Sequence, residues 1–276
     1  MDKKRTLLRR ATLGSVAILA LSISAPQRAV SADATQSAVD PGAIAALRRM
    51  GAFLREQQTM WVQGELTTDG FLPSGQKVQY SGTVDLKVQR PNRMRVEVSA
   101  DRGTKEMFYD GTTFTVYQPT VGYYASFAAP PTIAGLVDVL EQRYGVDLPL
   151  ADLFRLGTDE AQLAAIQRAT MVGWSMVKST MCAHYAFHQA DVDWELWVQE
   201  GPQPLPRKLV ITTTAEQAEP QHVAVLSWNL VPRIDASAFT FTPPPHAQRI
   251  EFDVSGAAGT SAPGRPPQMP PAPLGR

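Results

Sequence analysis

The spacing of apolar residues changes along the chain, first from a helical period to the period of a strand. Ile44, Leu47 and Leu54 recur at helical intervals near the start of the folded part, which predicts an amphipathic helix. Asp40 can accept hydrogen bonds from the first free amides, and Pro41 suits the first helical position. We therefore expect one helix that begins at this pair and ends shortly before the next change of period.

From residue 60 onward, apolar and polar residues alternate, as they do in strands with one buried face. The clearest alternation lies at residues 83–89 and 93–99. Asp69-Gly70 and Asp110-Gly111 are sequence signals for turns between such strands. The pattern continues to the segments Phe239–Thr242 and Ile250–Val254, so about ten or eleven antiparallel strands are expected, with one dry and one wet face.

Helical spacing returns between residues 132 and 168, where Ile133, Leu136 and Leu140 form an apolar stripe. Because this insert separates two sets of strands, we expect it to lie over the sheet as a flap. The fold class is therefore mainly β with helices (α+β), and residues 40–254 form one domain. A single antiparallel unit of about 220 residues is common.

The first 32 residues have the layout of a cleavable secretory signal peptide. Basic residues precede the apolar stretch Ala11–Ala25, and Val30-Ser31-Ala32 matches a small-residue cleavage site. Fifteen apolar residues are fewer than the roughly 20 that span a membrane, although an uncleaved anchor is the alternative. Arg9-Arg10 leaves both general secretory and twin-arginine export open. The segment has no cysteine for lipid attachment, so the exported protein is expected to be soluble in the periplasm.

Charge excludes one class of function. The chain has 26 Lys and Arg against 26 Asp and Glu, and six of the basic residues and one acidic residue lie in residues 1–32. The exported part therefore has 20 basic and 25 acidic residues, a net charge of about −5. Such a chain is not expected to bind nucleic acid. Residues 33–39 are expected to be flexible, and the Pro-, Gly- and Ala-rich residues 255–276 to be disordered.

Catalytic and metal-binding signals are weak. Cys182 is the one cysteine, so no internal disulfide is possible. A regular strand would place Cys182, His184 and His188 on one face, but a zinc site needs three or four ligands, and a buried thiol beside ordinary histidines is the alternative. No nucleophile elbow or phosphate loop occurs. Strand acids such as Glu65 and Asp85 could pair only in space. We predict no enzyme, no metal and no cofactor.

Aromatic and aliphatic residues are abundant in or near the strands, Trp61 and Phe114 among them. An antiparallel barrel can hold a ligand in its interior, and methionine and aromatic side chains adapt to flexible acyl chains. The same residues could instead fill a solid core. The pattern alone leaves both interpretations open.

Three blocks of the sequence resemble the periplasmic lipoprotein carriers of the LolA family. They are Lys87–Asn92, with the motif Arg-Pro-Asn, Tyr109–Pro119 and Ile234–Pro244, in the same order as in those carriers. The likeness spans about residues 41–252, with a divergent middle.

A second set of segments is similar to a bacterial family of predicted periplasmic proteins of unknown function in the LolA/LolB-like superfamily. These segments are Met181–His184, Asp193–Val198 and Pro204–Thr212. The cysteine and histidine of the first segment are not a feature of the LolA carriers, and the insert is longer than expected in them. The cargo of the carriers therefore does not transfer to this chain.

The resemblance implies a strongly curved, incomplete antiparallel barrel whose helices form a lid over an apolar concave face. It implies that Arg90 acts as a latch that holds the lid closed. The candidates for contact with a ligand are the inward-facing residues of the matching strands together with the aromatic candidates, namely Met94, Val96, Val98, Phe114, Val116 and Trp61.

The expected function is that of a monomeric periplasmic carrier or binding protein for a lipid, a lipoprotein acyl chain or another amphiphile. A lipid or a lipidated protein is the expected partner, and components of the inner or outer membrane are further candidates. The alternatives are a protein-interaction or sensor module on the same fold and a Cys182/His184 metal site or enzyme.

Overall fold

The structure is a computed structural model that describes residues 38–101, 103–144 and 148–252. The expected signal peptide and the expected disordered tail lie outside these residues. The end of the N-terminal segment expected to be flexible is described: Ala38 and Asp40 hydrogen bond with the backbone of Ala169.

Twelve strands form one open sheet, in the order β12-β6-β5-β4-β3-β2-β1-β11-β10-β9-β8-β7. Neighbouring strands are antiparallel except β12 and β6, which are parallel. The fold class predicted from the sequence is confirmed. The strands are β1 (Thr59–Phe71), β2 (Lys77–Gln89), β3 (Arg93–Ala100), β4 (Gly103–Tyr109), β5 (Thr113–Gln118), β6 (Tyr123–Ala128), β7 (Arg168–Val177), β8 (Thr180–Gln189), β9 (Val192–Gln199), β10 (Pro206–Thr213), β11 (Gln221–Asn229) and β12 (Gln248–Arg249).

Helix α1 (Pro41–Glu56) confirms the helix predicted at the start of the domain. The Asp40 side chain accepts a hydrogen bond of 2.8 Å from the amide of Gly42, which satisfies one of the free amides of the first turn. The apolar stripe of α1, including Leu47 and Leu54, is buried in the main core. We call the face of the sheet that contributes to this core the inner face, and the opposite one the outer face.

The insert predicted between residues 132 and 168 consists of four short helical segments. They are α2 (Ile133–Val139), a π-helical turn (Leu140–Tyr144), a 3-10 turn (Ala151–Phe154) and α3 (Glu160–Ala164). The last predicted residue, Arg168, already belongs to β7. Apolar side chains of the insert, leucines above all, complete the core over the inner face.

The turn predicted at Asp69-Gly70 is wrong, because β1 continues through both residues to Phe71. Asp69 is buried and accepts a hydrogen bond of 3.1 Å from the amide of Gln221, and its carboxylate lies 3.1 Å from the ammonium of Lys77. These partners come from β11 and β2, the two strands on either side of β1, so neighbouring strands satisfy a residue pair that is typical of turns. The turn predicted at Asp110-Gly111 does join β4 and β5.

The segment Phe239–Thr242 was predicted to be a strand and is not one. A 3-10 turn (Ala236–Phe239) leads into a stretch that crosses the outer face. There the ring of Phe241 lies 5.1–5.3 Å from the rings of Phe108, Tyr117 and Tyr124. Aromatic packing replaces strand pairing at this point, and the chain then pairs with the edge of β6 through the two residues of β12. Of the strand predicted at Ile250–Val254, the amide of Ile250 donates a hydrogen bond of 2.8 Å to the carbonyl of Tyr124, and residues 253 and 254 lie outside the described residues.

Candidate functional site

The inner face of β2 to β5 is the apolar surface that the sequence predicted for ligand contact. Met94, Val96 and Phe114 have exposed fractions of 0% and belong to the main core. Val98 and Val116 face the same core and are only partly buried. Five of the six candidates are therefore brought together on one face, with the two partly exposed valines at its margin.

Trp61, the sixth candidate, lies on the outer face. Its indole Nε1 donates a hydrogen bond of 2.7 Å to Asp85, and the ammonium of Lys87 lies 5.0 Å from the ring centroid. The neighbours of Trp61 in β1, Met60 and Val62, point into the core instead. Trp61 is thus not part of the inner surface, which is a correction to the expected set.

Two residues on β4 extend the predicted ligand-contact set. Met107 and Tyr109 are buried in the same core, and Tyr109 has an exposed fraction of 0%. The Tyr109 hydroxyl donates a hydrogen bond of 2.5 Å to the Pro130 carbonyl at the entry to the insert. Burial, and then the Asp110 carboxylate, raise the pKa of this hydroxyl, so it remains a neutral donor. The alternation of residues 105–109 was the sequence signal that these two side chains share one face.

The insert and α1 close this surface almost completely. A small apolar crevice remains between α1, the insert and the sheet, and its volume is about 10 Å³. That space is at the lower limit for one water molecule and far below the roughly 300–1,000 Å³ of a ligand pocket. Its lining residues are Leu54, Met60, Val62, Leu86, Leu153, Phe154 and Trp228. The described state is therefore a closed one.

Arg90 stands at the contact between the β2–β3 turn, α1 and the insert. Its Nε donates a hydrogen bond of 3.1 Å to the carbonyl of Gln57, at the end of α1. Its guanidinium carbon lies 5.7 Å from the centroid of the Phe154 ring in the insert. Burial, and then the nearby charge of Arg55, lower the pKa of Arg90. The hydrogen bond thus reaches α1, and the contact with the insert is a cation–π contact.

Backbone contacts hold the insert at two further points. The amide of Ile133 donates a hydrogen bond of 3.0 Å to the carbonyl of Pro91, in the same turn as Arg90. On the other side, the backbone of the insert at Leu156 and Gly157 lies directly against α1. A Cβ at Gly51 would overlap with the Leu156 carbonyl oxygen, and one at Gly157 would overlap with that of Leu47. Glycine at both positions is what permits this close approach.

Charged side chains add ties at the surface of the insert. Arg155 bridges Asp138 and Glu141, at 2.5 Å and 2.7 Å, and so links the two halves of the insert. Arg48 on α1 pairs with Glu160 on α3. These groups are substantially exposed, and exposed pairs contribute little to stability. The insert, which we call the cover of the inner face, is therefore held chiefly by its apolar contacts.

Cys182, His184 and His188 lie together on the outer face of β8, as alternation predicted. They do not converge on one point. The Cys182 thiol donates a contact of 3.5 Å to the carbonyl of Thr180, and its exposed fraction is 0%. His184 shares a hydrogen bond of 2.7 Å with Glu195 and stacks on Trp197, and His188 shares one of 2.5 Å with Asp193.

The environment of Cys182 is that of a core residue. It belongs to a small apolar cluster on the outer face, with Val177, Trp197 and Val210. Burial raises the pKa of the thiol and outweighs the opposing effect of Arg207. Among the described residues, no group of three or more His, Cys, Asp and Glu side chains could hold a metal ion.

Three strand acids line a polar groove on the outer face, with a volume of about 420 Å³. Each is already paired with a cation: Glu65 with Lys178 at 2.9 Å, Asp85 with Lys87 at 2.6 Å, and Glu97 with Arg95 at 3.3 Å. The three carboxylates of the groove are therefore engaged in ion pairs.

Several solved structures are similar to this chain. Lipoprotein LppX of Mycobacterium tuberculosis is 12% identical, with a TM-score of 0.46, and the match covers 71% of this chain and 100% of that chain. LprF of Mycobacterium bovis is 14% identical, with a TM-score of 0.43 and coverage of 76% and 99%. A LolA superfamily protein of Nitrosomonas europaea is 11% identical, with a TM-score of 0.35 and coverage of 72% and 97%.

No curated protein matches the chain. Within the described residues, every helix is too short or too polar to cross a bilayer. The model of the family described as "Predicted periplasmic protein (DUF2092)" matches residues 43–253, which include α1 except its first two residues, the insert and all twelve strands. The family resemblance and the periplasmic location expected from the sequence are thereby confirmed, and the chain belongs to the DUF2092 family of predicted periplasmic proteins.

Proposed function

We propose that this protein is a periplasmic carrier that holds the acyl chains of a lipid or a lipidated protein between the inner face of its sheet and the helical cover. One observation carries the proposal. A continuous apolar sheet surface is covered by an insert of four short helical segments, and the crevice between α1, the insert and the sheet has a volume of about 10 Å³. Binding therefore requires that the insert moves away from the sheet.

The chemistry of the inner face suits an acyl chain. Met60, Met94 and Met107 supply flexible, polarisable side chains that adapt their shape, and Phe114 adds a large apolar ring. These residues are almost completely buried and offer no ionisable group. A chain of methylene groups could replace the insert's leucines here without leaving a buried polar atom unpaired.

The cover is built in a way that permits this exchange. Its segments contain seven, five, four and five residues, and helices of this length are not stable without tertiary contacts. Their apolar side chains are held by packing that a ligand can reproduce. Since a ligand shifts an equilibrium only by its preference for one state, acyl chains would favour the open state because they bind the surface that opening exposes.

The margin of the inner face gives a polar headgroup access to water. Leu66, Val98 and Val116 pack against the core and are only partly buried. An amphiphile could place its chain against Met94 and Phe114 and leave its headgroup at this margin. The cargo class that we propose is therefore amphiphilic rather than purely apolar.

Photocrosslinking tests the proposal directly. The purified protein is incubated with a phosphatidylethanolamine whose acyl chain carries a diazirine, irradiated, and analysed for modified residues by mass spectrometry. We expect modification of inner-face residues such as Val96 and Met107 and of leucines in the insert. Glu97, next to Val96 on β3, and Trp61 on β1 face outward, so they serve as internal controls.

A matched pair of variants adds a second readout. Arg90→Ala removes the contacts with Gln57 and Phe154 and should increase the yield of inner-face crosslinks several-fold. Arg93→Ala removes the same charge on the other side of the turn and should leave the yield unchanged. Crosslinks confined to outward-facing residues, or folded protein from the periplasm that contains no extractable lipid and gives no crosslinks, would contradict the proposal.

A further inference from the structure

The β7–β8 hairpin packs one side against the outer face of the sheet. Val177 and Cys182 form an apolar cluster with Trp197 and Val210, which belong to β9 and β10. In the turn, Lys178 forms an ion pair of 2.9 Å with Glu65 on β1. Because β1 is the fourth strand from β8 in the sheet order, the end of the hairpin must reach across the outer face.

The other side of the hairpin faces solvent and is apolar. Trp174 and Met176 have exposed fractions of 56% and 55%, Met181 of 45%, and Val172, at a bulge in β7, of 56%. Met176 is paired with Met181 across the hairpin and Trp174 lies two residues before Met176, so these three side chains share one face, and Val172 is exposed at the bulge next to it. A solvent-facing side of an antiparallel hairpin is normally polar. Clustered exposure of this kind marks an interaction surface.

The position of the patch in the sheet leaves it accessible. Strand β7 is the last strand on its side, and among the described residues only Val39 pairs with its free edge, at Ala169. The opposite edge is covered, since β12 pairs with β6. The edge beyond Ala169 and the apolar patch beside it are therefore both open.

The charge of the hairpin differs from that of the rest of the protein. Residues 168–189 contain Arg168 and Lys178 and no aspartate or glutamate, whereas acidic residues exceed basic ones in the exported chain as a whole. Arg168 is exposed, and Lys178 lies at the turn, where it meets Glu65. Neither strand of the hairpin carries a carboxylate, so Arg168 is available to an anionic surface. Glu65 compensates Lys178, and Glu200, whose amide donates a hydrogen bond to the Met181 carbonyl, is the acidic residue nearest the patch.

We propose that the β7–β8 hairpin docks the protein on the surface of a membrane that contains anionic lipids, with Val172, Trp174, Met176 and Met181 inserted at the level of the headgroups. Tryptophan favours this interface because its ring is apolar and its N–H can remain hydrated. The proposal is independent of the proposed function, since a membrane-bound protein need not carry lipid.

The size of the patch favours a membrane over a second copy of the chain. Four side chains that are each about half exposed offer an apolar area on the order of 400 Å². A stable protein interface needs roughly 800 Å² from each partner. A bilayer imposes no matching shape, and an apolar patch on a hairpin that carries an exposed arginine is sufficient for reversible binding.

Vesicle sedimentation tests this inference. The protein without its signal peptide is mixed with vesicles of phosphatidylethanolamine and phosphatidylglycerol, or of phosphatidylcholine alone, and the bound fraction is measured. We expect the protein to bind the anionic vesicles, and to bind vesicles of phosphatidylcholine alone at least five-fold more weakly. The double variant Trp174→Ser/Met176→Ser should lose at least nine-tenths of the binding, although its unfolding temperature is unchanged because both positions are exposed.

The matched control removes a similar exposed apolar pair from another hairpin. Phe71 and Leu72, at the β1–β2 turn, have exposed fractions of 38% and 40%, and Phe71→Ser/Leu72→Ser should bind as the wild type does. Trp174→Phe should also bind, but vesicles with brominated acyl chains should quench less of its fluorescence. Equal loss in both double variants, absence of vesicle binding, or a concentration-dependent dimer that Trp174→Ser/Met176→Ser abolishes would overturn the proposal, the last in favour of a self-association surface.

Discussion

Gly157 in the insert lies so close to the carbonyl oxygen of Leu47 in α1 that no side chain fits between them. Its φ of +74° is also in the left-handed region that favours glycine. Both constraints meet where the cover rests on the helix. The contact therefore depends on one residue that the helical pattern of the insert does not predict.

Gly157→Ala should displace the insert. The added methyl group overlaps with the backbone of α1, and the left-handed conformation costs further energy, so we expect the free energy of unfolding to fall by about 3 kcal/mol. Gly75→Ala is the matched control, because Gly75 has a φ of +82° and nothing within 4 Å of the added methyl group. It should cost about 1 kcal/mol, from the backbone alone. Equal losses in urea unfolding would show that the contact with Leu47 is unimportant.

Arg90→Ala should loosen the cover without unfolding the sheet. It removes the hydrogen bond to Gln57 and the cation–π contact with Phe154, a loss of about 1–2 kcal/mol. Amide hydrogen exchange should become faster in residues 148–156 and remain unchanged in β9 and β10. Arg90→Lys keeps the charge but loses the planar group, so it should be intermediate. Exchange that is unchanged in the insert would count against a latch.

His222 should make stability depend on pH. Burial lowers the pKa of His222, whose Nδ1 shares a hydrogen bond of 2.7 Å with the Thr68 hydroxyl. The unfolded chain therefore binds the proton more readily than the folded one, and the contribution of the neutral ring is complete above about pH 6.5. It is lost as the pH falls below that value, by about 1.4 kcal/mol for each unit by which the pKa is lowered.

The measurement compares urea unfolding at pH 7.5, 6.5 and 5.5. His222→Gln should flatten the fall in stability toward low pH. His246, which is exposed, provides the control, and His246→Gln should retain the slope of the wild type. A slope that is the same in all three proteins would exclude His222 as its source.

Cys182 should behave as a core residue and not as a reactive thiol. It is fully buried and its pKa is raised by burial, so native protein should react with a disulfide reagent only as fast as it unfolds. Cys182→Ala should lower the free energy of unfolding by about 1 kcal/mol, and Cys182→Ser by more, since it buries a hydroxyl group. Zinc should not raise the melting temperature of the wild type or of His184→Ala. Rapid labelling of native protein would restore the thiol hypothesis.

Local pattern was sufficient for much of the architecture. The spacing of Ile44, Leu47 and Leu54 predicted α1, and the alternation at residues 83–89 and 93–99 predicted the second half of β2 and nearly all of β3. The cap at Asp40 and the turn at Asp110 were predicted as well. These features depend on neighbours within a few positions in the chain, so the sequence carries them directly.

The order of the strands, the closed cover and the roles of single side chains depended on contacts between distant residues. Alternation divides β1 into two faces but does not say which face is inside. The position of α1 and the insert decides that Val62 lies in the core and Trp61 on the outer face. Asp69 sits inside a strand because β11 and β2 supply its partners.

What the sequence determined alone was thus most of the elements, the net charge of the chain and its family. The tertiary structure alone decided that Arg90 contacts both the end of α1 and Phe154, and that Gly157 lets the insert approach α1 closely. It also decided that Trp174 and Met176 are exposed to solvent. The physical reason is that backbone hydrogen bonds and periodicity act locally, whereas burial is a property of the assembled sheet. A side chain becomes core or surface only when another element covers it.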